Sequence, residues 1–498
     1  MKIQEWILQK RKKHRQREKS WESLFKEEKL CYHESVKEAL EKEGGMDVKR
    51  SLHKGGCLLA LLLLMVLSGC GREELTLNPQ ELYCLPKLPT EYTELDHCIQ
   101  KVLDSGAEYA APTAGTHVQA VQLVDLDGDG CNEAVACFRN QEEERPLKIY
   151  LFEEQDDSYR TLGVIEGSGT SIYSIAYQDL NGDGWMELVI GWRAGTEIQA
   201  LSVHSLSGGK PRELLRTNYV RYAIADLDQD QQQELVVFRG DDEGAGVAER
   251  YVFQEENLQL QGSARLSMNM AQLSQQGRVH KGFVQKDLPA LFVTGVELST
   301  TAITDILTLH KGELKNLVLS DVTGISTETA PFRGIYPMDL NDDGVTEVPC
   351  PMEMPAWDDG EEAPYQQIDW HNFDQLGQPK TVLSTYHAME DGWYFRLSRE
   401  WEGRLAIRRS TQPNEAVVTF LRMDQDGKVL TPFLRISALS GARRDIQAVQ
   451  GNRFVLSRQA ETTYTAELLE GNQNWKYGLT EDEVRSSFSL ITREWDDN

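Results

Sequence analysis

Positive charge is scarce in this sequence: 52 Lys and Arg stand against 79 Asp and Glu in 498 residues, a formal net charge of −27. Residues 1–69 hold 15 of the cationic residues against 10 acidic ones, so the remainder carries −32. A body this acidic repels a phosphate backbone, which argues against nucleic acid as a partner. Catalytic signatures are missing as well. The ten histidines are scattered, and no His-Glu-x-x-His, Gly-x-Ser-x-Gly or Gly-x-x-x-x-Gly-Lys-Ser/Thr pattern occurs. The apolar run Cys57–Leu67 falls far short of the ~20 residues that a membrane-spanning helix needs. Cysteine is sparse, with eight in all; removing Cys31, Cys57 and Cys70 with a leader and its anchor leaves five, an odd number that excludes a complete disulfide framework within one chain. Of these, Cys84 and Cys98 could pair.

What the chain does have is a repeated acidic loop. Asp125-Leu-Asp127-Gly-Asp129-Gly130-Cys-Asn-Glu133 returns as Asp179-Leu-Asn181-Gly-Asp183-Gly184-Trp-Met-Glu187, as Asp226-Leu-Asp228-Gln-Asp230-Gln-Gln-Gln-Glu234 and as Asp339-Leu-Asn341-Asp-Asp343-Gly344-Val-Thr-Glu347. The spacings are 54, 47 and 113 residues, and the last is close to twice the others. A worn copy fills the gap at Gly282–Gly295, where Asp287-Leu288 and an apolar exit remain without the acidic loop. Five units result, starting near residues 118, 172, 220, 280 and 332. In the second, short β-branched and aromatic runs at 174–177, 187–192, 198–204 and 210–216 are bounded by Gly, Asn and Asp, as strands are. Four strands in roughly 50 residues is the arithmetic of a propeller blade.

Oxygens at positions 1, 3 and 5, a sharp turn at 6 and an acid at 9 gather hard ligands of the kind calcium takes, with the position 7 carbonyl completing the shell. The candidate metal ligands are therefore Asp125, Asp127, Asp129 and Glu133; Asp179, Asn181, Asp183 and Glu187; Asp226, Asp228, Asp230 and Glu234; and Asp339, Asn341, Asp343 and Glu347. An EF-hand would need Glu at position 12, where this chain has Ala136, Ile190, Val237 and Cys350. The third loop is the odd one, with Gln231 where glycine belongs. A turn built only from Asx side chains is the competing reading of each loop. Over residues 118–350 these loops resemble the FG-GAP or VCBS-type repeats of integrin-like propellers. That resemblance implies a mainly β fold, a calcium-stabilised β-propeller, whose surface binds something; five, six or seven blades are compatible with it.

The start of the chain carries targeting information. Residues 1–45 are charged and lack proline, like a solvated helix or a disordered extension. Met46 opens a basic segment with Lys49, Arg50 and Lys54, followed by the apolar run and Leu67-Ser-Gly-Cys70, which is signal-peptide architecture. The last four residues resemble the lipobox of bacterial lipoproteins, implying a lipid on Cys70 and an exported body on the outer face of the cell membrane. We expect translation to start at Met46.

The expected organisation is an extension and signal peptide at 1–69, a tether with a short helix over Tyr92–Leu103 at 70–117, the propeller at 118–390, and at 391–498 an α+β module or a divergent blade. Thr480 and Glu483 predict a capping box near the end. Trp192, Trp357, Trp370, Trp393 and Trp401 read chiefly as core, and Trp185, inside a loop, as the best exposed aromatic. Two functions follow. One is a calcium-stabilised, lipid-anchored surface protein that binds an extracellular protein or polysaccharide. The other is a secreted carbohydrate-active enzyme, a hydrolase or lyase, on the same scaffold.

Overall fold

Strand Glu133–Arg139 shows how the chain builds its layers: Val135 and Cys137 point into one core, and Ala134, Ala136 and Phe138 into another. A strand apolar on both sides must be covered on both sides. The same division recurs in Glu187–Arg193, where Leu188, Ile190 and Trp192 share the core of Val135 and Cys137, and Val189 lies in another. In Glu234–Gly240, Leu235 and Val237 share the core of Val189, while Val236 and Phe238 lie in one with Leu291 and Val293. Sheets therefore stack in sequence order through shared apolar layers.

The computed structural model describes residues 92–491 except 156–157, 196–198, 242, 275–276, 298–300, 321, 325, 330–334, 355–365 and 424–428. All belong to one unit, Leu88–Asn498. The expected extension, signal peptide, Cys70 and Cys84 lie outside the described residues, as does Trp357. The protein is mainly β, with six antiparallel sheets of four or five strands among the described residues. The first runs Val121–Val124, Glu133–Arg139, Leu147–Gln155 and Ser158–Gly167; the second Ser171–Gln178, Glu187–Arg193, Gln199–Ser205 and Arg212–Asn218. The third is Arg221–Ala225, Glu234–Gly240, Ala245–Gln254 and Asn257–Asn269; the fourth Arg278–Gln285, Leu288–Glu297, Thr301–His310 and Glu313–Asn316, with Thr327–Thr329 added alongside Thr301–His310. In the worn repeat the acidic loop is replaced by a tight turn, Lys286-Asp287, between Gln285 and Leu288.

The last two sheets correct the expected boundary at residue 391. Val348–Glu353, Gln366–Phe373 and Pro379–Ala388 form a sheet with Trp393–Leu397 and with Phe488–Leu490 from the chain end. Residue 391 thus falls inside the fifth sheet, because Tyr386 pairs with Phe395 and both bury their rings in the layer beneath. Leu405–Gln412, Glu415–Met423, Val429–Leu439, Thr463–Leu468 and Phe454–Arg458, in that spatial order, make the sixth. Its core with the fifth sheet holds Trp393, Trp401, Phe395, Phe420 and Phe433, and Trp401 donates its indole N–H to the Tyr477 carbonyl at 3.0 Å.

The first sheet finds its second cover in the helix Thr93–Asp104, which lies one residue from its expected position. Leu95 and Ile99, one turn apart, are buried against Ala134, Phe138 and Phe152. Full burial of two such side chains stabilises the contact by about 1.5–3 kcal/mol each. Cys98 is a free thiol that donates to the Tyr159 carbonyl at 3.3 Å. The last part of the expected tether is docked too, since Glu108–Tyr109 pairs with Phe138 and Arg139. Near the chain end, Thr480 and Glu483 form their capping box at the start of helix Glu481–Ser487, which buries Val484.

Candidate metal centre

Each acidic loop is anchored by the leucine that follows its first aspartate. Leu126, Leu180, Leu227 and Leu340 are 1–4 % exposed. Their backbone N–H groups donate to Oε2 of the loop glutamate, at 2.7 Å to Glu133, 2.9 Å to Glu187, 2.6 Å to Glu234 and 2.8 Å to Glu347. Burial of the leucine thus carries the glutamate to the inner wall of the loop. The first aspartate then folds the turn over itself: Oδ2 of Asp125, Asp179, Asp226 and Asp339 accepts from the N–H of Gly130, Gly184, Gln231 and Gly344 at 2.8–3.0 Å. Position 5 caps position 7, with Asp129, Asp183, Asp230 and Asp343 accepting from Cys131, Trp185, Gln232 and Val345. The turn needs a left-handed residue at position 6. Gly130 and Gly184 both have φ near +89°, which glycine adopts without strain.

This folding brings like charges together. Asp125, Asp127 and Glu133 offer oxygens within 4.8 Å of one another, as do Asp226, Asp228 and Asp230, and Asp339, Asp343 and Glu347. Asp129 lies outside the first group. In the second loop the Asn181 amide donates to Asp183 at 3.0 Å and lies 3.4 Å from Glu187 Oε1, and in the fourth Asn341 donates to Glu347 at 3.2 Å. The glutamates are the most deeply placed ligand candidates: Glu133 is 5 % exposed and Glu187 and Glu347 are fully buried. Burial pushes the carboxyls of Glu133 and Glu347 up to about 7, opposed by the leucine N–H bonds, and raises Glu187 and Glu234 for the same reason. Clustered acids of this kind could hold a metal ion.

The third loop differs in one respect. Arg250 reaches into it from the neighbouring strand, with Nε 3.1 Å from Glu234 Oε1 and Nη2 2.7 Å from Asp228 Oδ2; Nη2 also donates to Glu234. Sequence reasoning passed over Arg250. Its signal was a Glu249-Arg250 pair inside the apolar strand Ala245–Gln254. Trp185 also departs from expectation: it is half-buried and packs on the core between the first two sheets, because the loop turns its ring inward beside Met186. Trp192, Trp370, Trp393 and Trp401 are core residues.

Fold and site together define a mainly β protein of serially stacked antiparallel sheets whose corners concentrate buried acid. No family model matches the sequence, and no curated protein matches it. Among solved structures the chain is similar to a rhamnogalacturonan lyase of Bacillus licheniformis, at 13 % identity over 66 % of this chain and 72 % of that one, with a TM-score of 0.26. It is similar at 14 % identity to the rhamnogalacturonan lyase YesW, over 65 % and 71 % of the two chains, also with a TM-score of 0.26.

Proposed function

We propose that the six sheets are blades of a propeller of FG-GAP or VCBS type, exported and anchored through Cys70, and that its first, second and fourth acidic loops hold calcium. The observation that carries this reading is the burial of Glu133 and Glu347 within groups of carboxylates, with Glu187 fully buried and raised by that burial and by the charges of Asp183 and Asp179 though outside such a group. A buried carboxylate is costly unless it is paired or coordinates a metal. Hard oxygen donors, several to a loop, suit calcium above softer ions. Asp125, Asp127 and Glu133 would hold the ion in the first loop, Asp179, Asp183 and Glu187 in the second, and Asp339, Asp343 and Glu347 in the fourth.

On this scaffold the protein acts as a binding protein for an anionic extracellular polysaccharide. Support comes from one corner of the sixth sheet. Arg404 and Lys476 lie 5.2 and 5.0 Å from the Tyr477 ring centre, and Arg422 lies 5.9 Å from that of Trp475. Among the described residues none of the three cations pairs with a carboxylate, in a chain with an excess of acid. The nearby Arg404 and Lys476 also lower the pKa of the Tyr477 phenol. Guanidinium and ammonium groups beside aromatic rings suit the carboxylates or sulfates of an acidic glycan.

A glycan array of neutral and acidic polysaccharides, probed with the full chain in calcium and in EGTA, tests this. Acidic glycans should bind, and Arg404→Ala with Lys476→Ala should abolish binding while the melting temperature holds. Release of reducing ends or unsaturated products from those glycans would instead make the protein an enzyme. Capture of a protein ligand with no glycan bound would redirect the reading to protein recognition.

A further inference from the structure

We propose that Arg250 is the resident cation of the third acidic loop and thereby decides which corners of this protein take metal. Its second half rests on the calcium reading of the other three loops. Glu234 is as deeply placed as its counterparts and has Asp228 beside it, so it too requires a positive charge. The guanidinium supplies that charge from a side chain only 7 % exposed, holding Glu234 and Asp228 together. These two residues correspond to Glu133 and Asp127 of the first loop, which belong to one carboxylate group there. A planar fork of fixed donors fits two carboxylates as a point ion would, and it cannot leave.

Strand register explains why a guanidinium reaches the carboxylates of this loop. Arg250 stands opposite Val236, two residues beyond the loop glutamate. The corresponding positions are Leu151 opposite Val135, Val203 opposite Val189 and Trp370 opposite Pro349. At that position the first, second and fourth loops meet apolar side chains; among the described residues Arg396 approaches the fourth loop, donating to the Leu340 carbonyl at 2.8 Å, and no hydrogen bond joins it to a loop carboxylate. The third loop is also the one without glycine at positions 4 and 6, where Gln229 and Gln231 take φ of +61° and +76°.

Hydrogen exchange at the amides of Leu126, Leu180, Leu227 and Leu340 in the full chain separates the possibilities. Moving from calcium to EGTA should lower protection about tenfold at Leu126, Leu180 and Leu340 and leave Leu227 unchanged. A fall at Leu227 alongside the others overturns the role of Arg250 and leaves the calcium reading standing. If none of the four responds, the calcium reading of the other loops fails, and Arg250→Gln in EGTA decides the rest. That variant should lower protection about tenfold at Leu227 alone, and calcium should restore it if the emptied loop takes the ion. Unchanged protection at Leu227 in Arg250→Gln overturns the proposal. Should Arg250→Gln fail to fold, Arg250→Lys, which keeps the charge and loses the fork, carries the same comparison with a smaller fall.

Discussion

The backbone N–H of Met186 donates to the carbonyl of Leu126 at 2.8 Å, so the second acidic loop hangs directly on the first. A methyl group at Gly128 would come within 3.1 Å of the Gly184 carbonyl, which shows how closely the two turns approach. Two corners in such contact should loosen together. Asp125→Ala removes the acceptor of the Gly128 and Gly130 N–H groups, at 2.8 and 3.0 Å. We expect a loss of about 1–3 kcal/mol in local stability. It should register as faster amide exchange at Met186 as well as at Gly130, and an undisturbed Met186 would show the loops to be independent.

Calcium removal is the second test. A ligand bound only by the folded state stabilises it by mass action, by about 2.7 kcal/mol per site at a hundredfold excess over Kd. EGTA should therefore lower the melting temperature, and calcium should restore it where magnesium restores it less. A melting curve indifferent to chelation, with every loop intact, would reduce the loops to ordinary Asx turns.

The third prediction concerns backbone strain. Gln231 holds φ at +76° in a position that glycine fills elsewhere. Gln231→Gly should raise stability by ~1 kcal/mol, since a left-handed conformation costs a side-chain-bearing residue roughly that much. Gly184→Ala should lower it by a similar amount even though nothing lies within 4 Å of the added carbon, because φ there is +89°. Urea midpoints of the two variants should move in opposite directions; movement in the same direction refutes the account.

Acid should weaken the fold through two buried imidazoles. Burial lowers His204 to about 4 and His387 to about 3, from 6.5. His387 stacks on Tyr394 at 5.1 Å and lies 3.0 Å from Thr385 Oγ1. Because the folded values lie below the unfolded one, their contribution is complete above pH 6.5 and is lost as pH falls towards 4 and 3. The raised carboxyls of Glu133 and Glu347 act in the opposite direction over the same range, so the test is a difference: between pH 7 and pH 4 the urea midpoint of His387→Phe should lose less, or gain more, than that of the parent chain. An identical slope in the variant would remove this histidine from the acid response.

Much of the candidate site was legible because its parts lie within nine residues of one another. Asp-Leu entries, acids at alternating positions and a closing glutamate are local chemistry, and the leucines were visible in every copy before their burial was known. Arg250 was not legible in the same way. It lies 16 residues beyond Glu234, and its meaning depends on strand register, which side-chain alternation constrains only once the partner strand is known. Trp185 misled for a related reason: a loop position says nothing about which way the ring turns.

By itself the sequence determined the mainly β class, the period of the repeat, the places where it bends, a short helix within a residue of its observed span and the helix cap at Thr480, because each depends on neighbours in the chain. Only the tertiary structure decided that Trp393–Leu397 closes the fifth sheet, that Phe488–Leu490 returns to it, and that Thr463–Leu468 slips between Val429–Leu439 and Phe454–Arg458 in the sixth. Those pairings join segments separated along the chain, and they are chosen by which apolar faces can be covered at once. The same non-local choice set a guanidinium in one acidic corner and apolar side chains at the corresponding position of the other three.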